Sequence, residues 1–224
     1  NPSIYPKLPY NVDRDFVAVT ALAAAPMVLV VSPTSSVQTA GDLVSQAKAN
    51  PGKINFGSAG TGSGAHMAAE LFIYATQIKL THVPYKGTGP ALADLLGGQV
   101  DLTFGTPPPF IPHIQTGKLR ALATTGKKRL QSLPDVPTAA EAGLVGYEVS
   151  TWYGLFAPKG TPQPIIDKMI AEVQKAINNP ELKTIWTNNG SDTPNLTGDA
   201  FGKFVNADIK RWAAVAKASG AKLD

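Results

Sequence analysis

With 224 residues, 43% of them apolar and 16% charged, the chain is long enough to bury a core and too apolar to remain disordered. Its net charge of +4 is scattered, with Lys127-Lys128-Arg129 as the basic run, which argues against the clustered basic face of a nucleic-acid binder. The absence of cysteine excludes disulfides and thiolate metal sites, and no stretch reaches the about 18 apolar residues of a membrane span.

Residues 1–16 carry three prolines without periodicity and read as an extended loop. They lack the basic and apolar regions of a signal peptide, so a leader already removed, or a start other than the natural one, is expected. The apolar stretch Val17 to Val31 is broken by Thr20 and Pro26 and reads as two strands. Its second part, Met27 to Val31, has the continuous branched character of a buried parallel strand. Ser36 to Lys48 is helical, closed by Asn50-Pro51-Gly52.

Two strand–loop–helix units follow. Lys53 to Phe56 leads into Gly57-Ser58-Ala59-Gly60-Thr61-Gly62-Ser63-Gly64 and the helical stretch Ala65 to Ala75. Leu80 to Tyr85 leads into Lys86-Gly87-Thr88-Gly89-Pro90 and the helix Ala91 to Leu96. Then come a strand Val100 to Phe104, a proline turn at Thr106 to Pro109, a helix through Gln115 and a strand Leu119 to Ala123. This alternation predicts α/β layering with a largely parallel sheet. A last strand runs from Val149 to Pro158. Helices follow at Pro164 to Asn178, with Ile165, Ile166, Met169, Ile170, Val173 and Ile177 on one face, at Pro180 to Asn188, and at Thr197 to Ala218. The C-terminal third is short of strands.

A glycine-rich turn at a helix N-terminus presents unpaired N–H groups at the positive end of the helix dipole, a surface for carboxylates or phosphates. The motifs that would turn such a surface into an enzyme are missing. There is no Walker loop, no Gly-x-Gly-x-x-Gly and no Gly-x-Ser-x-Gly. His66, His82 and His113 stand in no metal-ligand spacing, so neither a metal nor a cofactor is expected. His66, in the first turn behind the first loop, is either a ligand contact or a half-buried helix residue, and His82 reads as a strand residue. What remains is carboxylate capture without catalytic residues. The donors are the amides of Gly60, Thr61, Gly62, Ser63, Gly64, Gly87, Thr88 and Gly89, the hydroxyls of Ser58, Thr61, Ser63, Thr88 and Thr106, and the phenol of Tyr85. Asp101, before an apolar strand, is either a contact for a ligand amine or hydroxyl or a strand-initiating residue. A hydrolase using Ser63 with His66 is the enzymatic alternative.

Several segments together carry a resemblance. They are Asn1 to Tyr10 with Asp15-Phe16, Asn55 to Ser63, His82 to Gly87, Gly97 to Asp101, Leu133 to Thr138 with Glu141-Ala142-Gly143, and Trp152 to Pro158. In these the chain resembles the substrate-binding proteins of tripartite tricarboxylate transporters, the Bug or TctC-like family. The resemblance implies a type II periplasmic binding protein fold, two lobes with a hinge, closing on a di- or tricarboxylate, an acidic amino acid or an aromatic acid. It implies a periplasmic location and delivery to membrane transporter subunits, with a sensory module of the same fold as the alternative. Crossings between lobes would fall near Ala24 to Val28 and Ser150 to Gly154. Residues 1–27 would then be a remnant of the first lobe with a hinge strand. Residues 28–150 would be the second lobe with both loops, and 151–224 the return and C-terminal helices of the first. Family members begin with a further strand and a glycine-rich loop that this sequence does not contain, so the first lobe is expected to be incomplete. Weak carboxylate binding and oligomerisation or strand exchange are the expected consequences.

Overall fold

The computed structural model describes residues 2–5 and 7–220; Asn1 and Pro6 of the resemblance segment, and residues 221–224, lie outside the described residues. In chain order the elements are α1 (Val12–Asp15), β1 (Phe16–Pro26), β2 (Val28–Val31), α2 (Ala40–Ala49), β3 (Asn55–Ser58), α3 (Gly64–Thr76), β4 (Thr81–Pro84) and α4 (Thr88–Leu96). They continue as β5 (Leu102–Gly105), α5 (Ile111–Gln115), β6 (Arg120–Thr124), β7 (Ser150–Pro158), α6 (Gln163–Ile177), α7 (Pro180–Asn188) and α8 (Gly198–Ser219).

The residues expected to be wholly extended at the start include one helical turn. Asn11 caps α1, its Oδ1 accepting the N–H of Arg14 at 2.9 Å, and Asp15 closes the turn by accepting the N–H of Asn11 at 2.8 Å. Helix α2 starts at Ala40, later than the sequence reading placed it, because Thr39 and Asp42 form a reciprocal capping box at that point.

A five-stranded sheet in the order β4-β3-β5-β2-β6 carries the main core. Strands β3 and β4, and β3 and β5, run parallel, whereas β2 is antiparallel to both β5 and β6. This corrects the expectation of a parallel strand at Met27 to Val31. Every residue of β2 is buried, and a continuous apolar run reports burial on both faces, not direction. Helix α3 lies on the sheet with Met67, Ala68, Ala69 and Phe72 buried. Phe72 meets Phe104 and Tyr147, and the fully buried Tyr147 phenol donates to the carbonyl of Ala68 at 2.7 Å, while burial holds its pKa well above the usual value.

The second sheet has two strands, β1 antiparallel to β7, with register shifts that bend β1 between Ala18 and Thr20 and between Ala21 and Ala23. Two strands are not self-supporting, and helices cover both faces. On one side Ile166 of α6 joins Val19 and Ala157; on the other Phe201 and Val205 of α8 join Ala21. The face read for α6 is only partly buried, Ile165 being 52% exposed. Where the chain passes between sheets, Thr125 ties the crossings together. Its N–H donates to Met27 O at 2.8 Å, its Oγ1 accepts the N–H of Met27 at 2.7 Å, and its hydroxyl donates to Val149 O.

Candidate ligand-binding site

Because β3 and β4 are parallel neighbours, both glycine loops leave the sheet at the same edge, where α/β sheets place their ligands. The loops touch. The Tyr85 N–H donates to Ser58 O at 3.0 Å, and a side chain at Gly60 would stand 3.2 Å from Tyr85 O.

Much of the first loop's hydrogen bonding is spent on the loop itself. The Gly60 N–H donates to Ser58 Oγ at 3.1 Å, the Ser63 N–H to Gly60 O at 3.1 Å and the Gly62 N–H to His66 Nδ1 at 3.0 Å. Ser63 is the N-cap of α3, its Oγ accepting the His66 N–H at 3.3 Å. The N–H groups of Thr61, Gly64 and Ala65 find no acceptor among the described residues. In the second loop Gly87 caps α4 with φ 117° and ψ 173° and no side-chain bond. There the N–H groups of Gly87, Thr88 and Gly89 are likewise without an acceptor among the described residues. Pro90 has none to give. Six backbone donors thus stand at the N-termini of two adjacent helices, where the dipoles favour an anion.

The sequence-derived side chains divide differently. Thr61 and Thr88 keep unengaged hydroxyls beside these amides, Thr61 half-buried and Thr88 exposed. Ser58 is fully buried and bonded to His82 Nε2 at 2.6 Å, so its hydroxyl supports the loop from below. The Tyr85 phenol turns away to donate to Asp94 Oδ2 at 2.7 Å, and burial together with that carboxylate pushes its pKa up to about 12. Tyr85→Phe is therefore expected to cost about 1 kcal/mol of stability and leave ligand affinity within about twofold by calorimetry, whereas a tenfold loss would put the phenol on the ligand.

Asp101 is at the other end of the sheet. Its Oδ2 accepts the N–H of Asn55 at 2.7 Å, and its N–H donates to Asn55 O at 2.9 Å, where β3 and β5 begin. The first loop leaves the opposite end of β3 and the second the same end of its parallel neighbour β4, so Asp101 stands at the strand starts, away from both loops. The Ser63–His66 hydrolase also fails geometrically. The Ser63 hydroxyl meets the backbone of His66, and the ring nitrogens face Gly62 and Glu70, leaving no base for a nucleophile. Sequence reading missed the amide of Ala65 and the bonds that His66 and His82 make to the first loop. The available signal was His66 standing four residues after Gly62, one turn into the helix.

A cavity of about 240 Å³ opens beside Gly62, with Ile4, Met67, Trp152, Asp208 and Trp212 in its walls. Trp152 is fixed there by its Nε1–H donating to Asp208 Oδ2 at 2.7 Å. Elsewhere Arg129 of the basic run is paired with Glu141 at 2.8 Å, and Lys127 lies 3.9 Å from Glu148. Among the described residues no cluster suited to a metal ion occurs, and no helix is long and apolar enough to cross a membrane.

The sequence model of the tripartite tricarboxylate transporter family receptor, TctC, matches residues 1–221. The chain belongs to this family. Protein BugT of Bordetella pertussis is 37% identical over 221 residues, covering 99% of this chain and 68% of BugT. A protein encoded in the tcbD-tcbE intergenic region of Pseudomonas sp. strain P51 is 40% identical over 213 residues, and this chain spans 62% of its length. Among solved structures, R. palustris Rpa4515 with adipate superposes with a TM-score of 0.87 at 34% identity, covering 97% of this chain and 73% of that one. MatC from Rhodopseudomonas palustris with bound malate superposes at 0.84 with 34% identity, covering 95% and 74%. The fold is accordingly that of the two-lobed TctC-type binding proteins, and the family is one of receptors, not of enzymes.

Proposed function

We propose that this TctC-family chain is a periplasmic receptor that captures a small dicarboxylate and presents it to membrane transporter subunits. The observation that carries the reading is the six N–H groups of Thr61, Gly64, Ala65, Gly87, Thr88 and Gly89, without acceptors among the described residues, at two neighbouring helix N-termini. Such donors take carboxylate oxygens without a fixed cation. The hydroxyls of Thr61 and Thr88 add to them. Support for two carboxylates comes from the related proteins of R. palustris solved with adipate and with malate. The carbon skeleton would lie toward the cavity walled by Met67 and Trp152. In this reading residues 28–150 form one lobe and 1–27 with 151–224 contribute to the other, closing about the crossings that Thr125 joins.

Thr88 allows the chemistry to be tested one amide at a time. It is the first helical position of α4, where proline fits the helix and removes the N–H. Thr88→Pro is expected to weaken malate or adipate binding about tenfold in calorimetry, with melting temperature nearly unchanged, while Thr88→Ala loses less. Equal binding by the proline variant and wild type would remove the amide from the site.

A further inference from the structure

Under the two loops lie three stacked rings that the carboxylate reading leaves without a task. His82 of β4 lies 4.7 Å from Phe56 of β3 and 4.0 Å from His66 of α3, with interplanar angles of 16° and 15°. Each imidazole reaches out of the stack to the first loop. His66 Nδ1 accepts the N–H of Gly62 at 3.0 Å, and its Nε2 stands 3.4 Å from Glu70 Oε1. His82 Nε2 is bonded at 2.6 Å to Ser58 Oγ, which in turn accepts the N–H of Gly60 at 3.1 Å. His82 also sits on the strand that leads into the second loop, whose Tyr85 N–H is held by Ser58 O.

The Gly62 N–H needs a lone pair on Nδ1, so this arrangement exists only while His66 carries no proton there, and Glu70 favours the proton on the other nitrogen. We propose that His66 and His82 are positioning residues that hold both glycine loops as one preformed platform, His66 by fixing the Gly62 peptide and His82 by fixing Ser58. The inference rests on the carboxylate reading for its effect on affinity, and on the loop geometry alone for its structural part. A loop already held in its binding conformation loses less entropy when the anion arrives.

The titratable groups that face the pair are Glu70, from α3, and the two imidazoles themselves; β3 contributes Phe56 and Ser58, which carry no charge. Burial first, then His66, push His82 from 6.5 down to about 4, against the pull of Glu70. A depressed histidine of this kind contributes stability that is present above its unfolded value of 6.5 and lost as the pH falls through that value toward about 4. Acidification therefore works against the stack.

The test compares wild type, His66→Asn and His66→Leu. Asparagine places Oδ1 where Nδ1 stands and cannot be protonated near neutral pH, while leucine fills the space without an acceptor. Two readouts are taken: exchange of the Gly62 amide by NMR, and affinity for malate and adipate near neutral pH. Wild type is expected to protect the Gly62 amide and to bind both dicarboxylates. The asparagine variant should keep the protection and affinity within about threefold, and the leucine variant should lose the protection and about tenfold in affinity. An unprotected Gly62 amide in wild type, or matching behaviour of the two variants, overturns the proposal. Should the leucine variant not fold, His66→Ala takes its place, and Gly62 protection equal to that of wild type in the alanine variant overturns it. Protection that depends on His66 in a protein that binds neither dicarboxylate supports the positioning role and overturns the carboxylate reading.

Discussion

Phe201→Ala is expected to lower the free energy of unfolding by about 3–5 kcal/mol, the largest effect of any single truncation proposed for this protein. Phe201 is fully buried on the first turn of α8 and fills the centre of an aromatic cluster. Trp152 meets it edge-on at 5.6 Å, Phe156 lies at 5.3 Å and Phe204 at 6.4 Å. Its ring lies directly over Gly154 of β7, so closely that a Cβ there would be 2.2 Å from Phe201 Cζ. The surrounding β1–β7 sheet has only two strands and depends on α8 for cover on this face, so the lost contacts cannot be recovered by collapse of a larger core. Gly154→Ala attacks the same contact from the strand side by overpacking, at a cost of about 1–3 kcal/mol. Urea unfolding checks both; a loss under about 1 kcal/mol for Phe201→Ala would mean that α8 docks by other means.

The second large effect is on binding. Gly87→Ala is expected to reduce dicarboxylate affinity tenfold or more, about 1.4 kcal/mol for each factor of ten. At φ 117° and ψ 173° Gly87 occupies a region open essentially to glycine alone, and an L residue held there stores about 1–3 kcal/mol of strain. Nothing lies within 4 Å of the added methyl, so packing does not contribute. The chain can relieve the strain by rotating the peptides around Gly87, which takes the N–H groups of Thr88 and Gly89 off their shared direction. Calorimetry beside a thermal melt separates this outcome from unfolding. A variant with unchanged affinity would show that the second loop does not hold the ligand.

The sequence revealed the elements well and their neighbours poorly. The loops at Gly60 and Gly87 were legible because glycine between a strand and a helix has a local meaning. The direction of β2 was not legible, since Val28 to Val31 would look the same in either orientation between two covered faces. The site residues show the same division. The position of each turn marked where backbone donors gather but not which are spent on the loop itself, as those of Gly60, Gly62 and Ser63 are, and Ser58, Tyr85 and Asp101 were assigned from polarity and proximity alone. Their directions depend on His82, Asp94 and Asn55, partners that only the folded sheet brings near. His66 was open for the same reason, because whether its ring meets a ligand or the Gly62 amide depends on how the loop folds back over the first turn of α3.

In the proposed function, capture of the carboxylates falls to backbone N–H groups of both loops. Titration of the isotopically labelled chain with adipate and with malate, following every amide by NMR, checks this donor by donor. Saturable shifts are expected to be largest at Thr61, Gly64 and Ala65 in the first loop and at Gly87, Thr88 and Gly89 in the second, with Asp101 and Tyr85 little changed. Saturable shifts confined to other surfaces, or none at these six amides through the millimolar range, would contradict it.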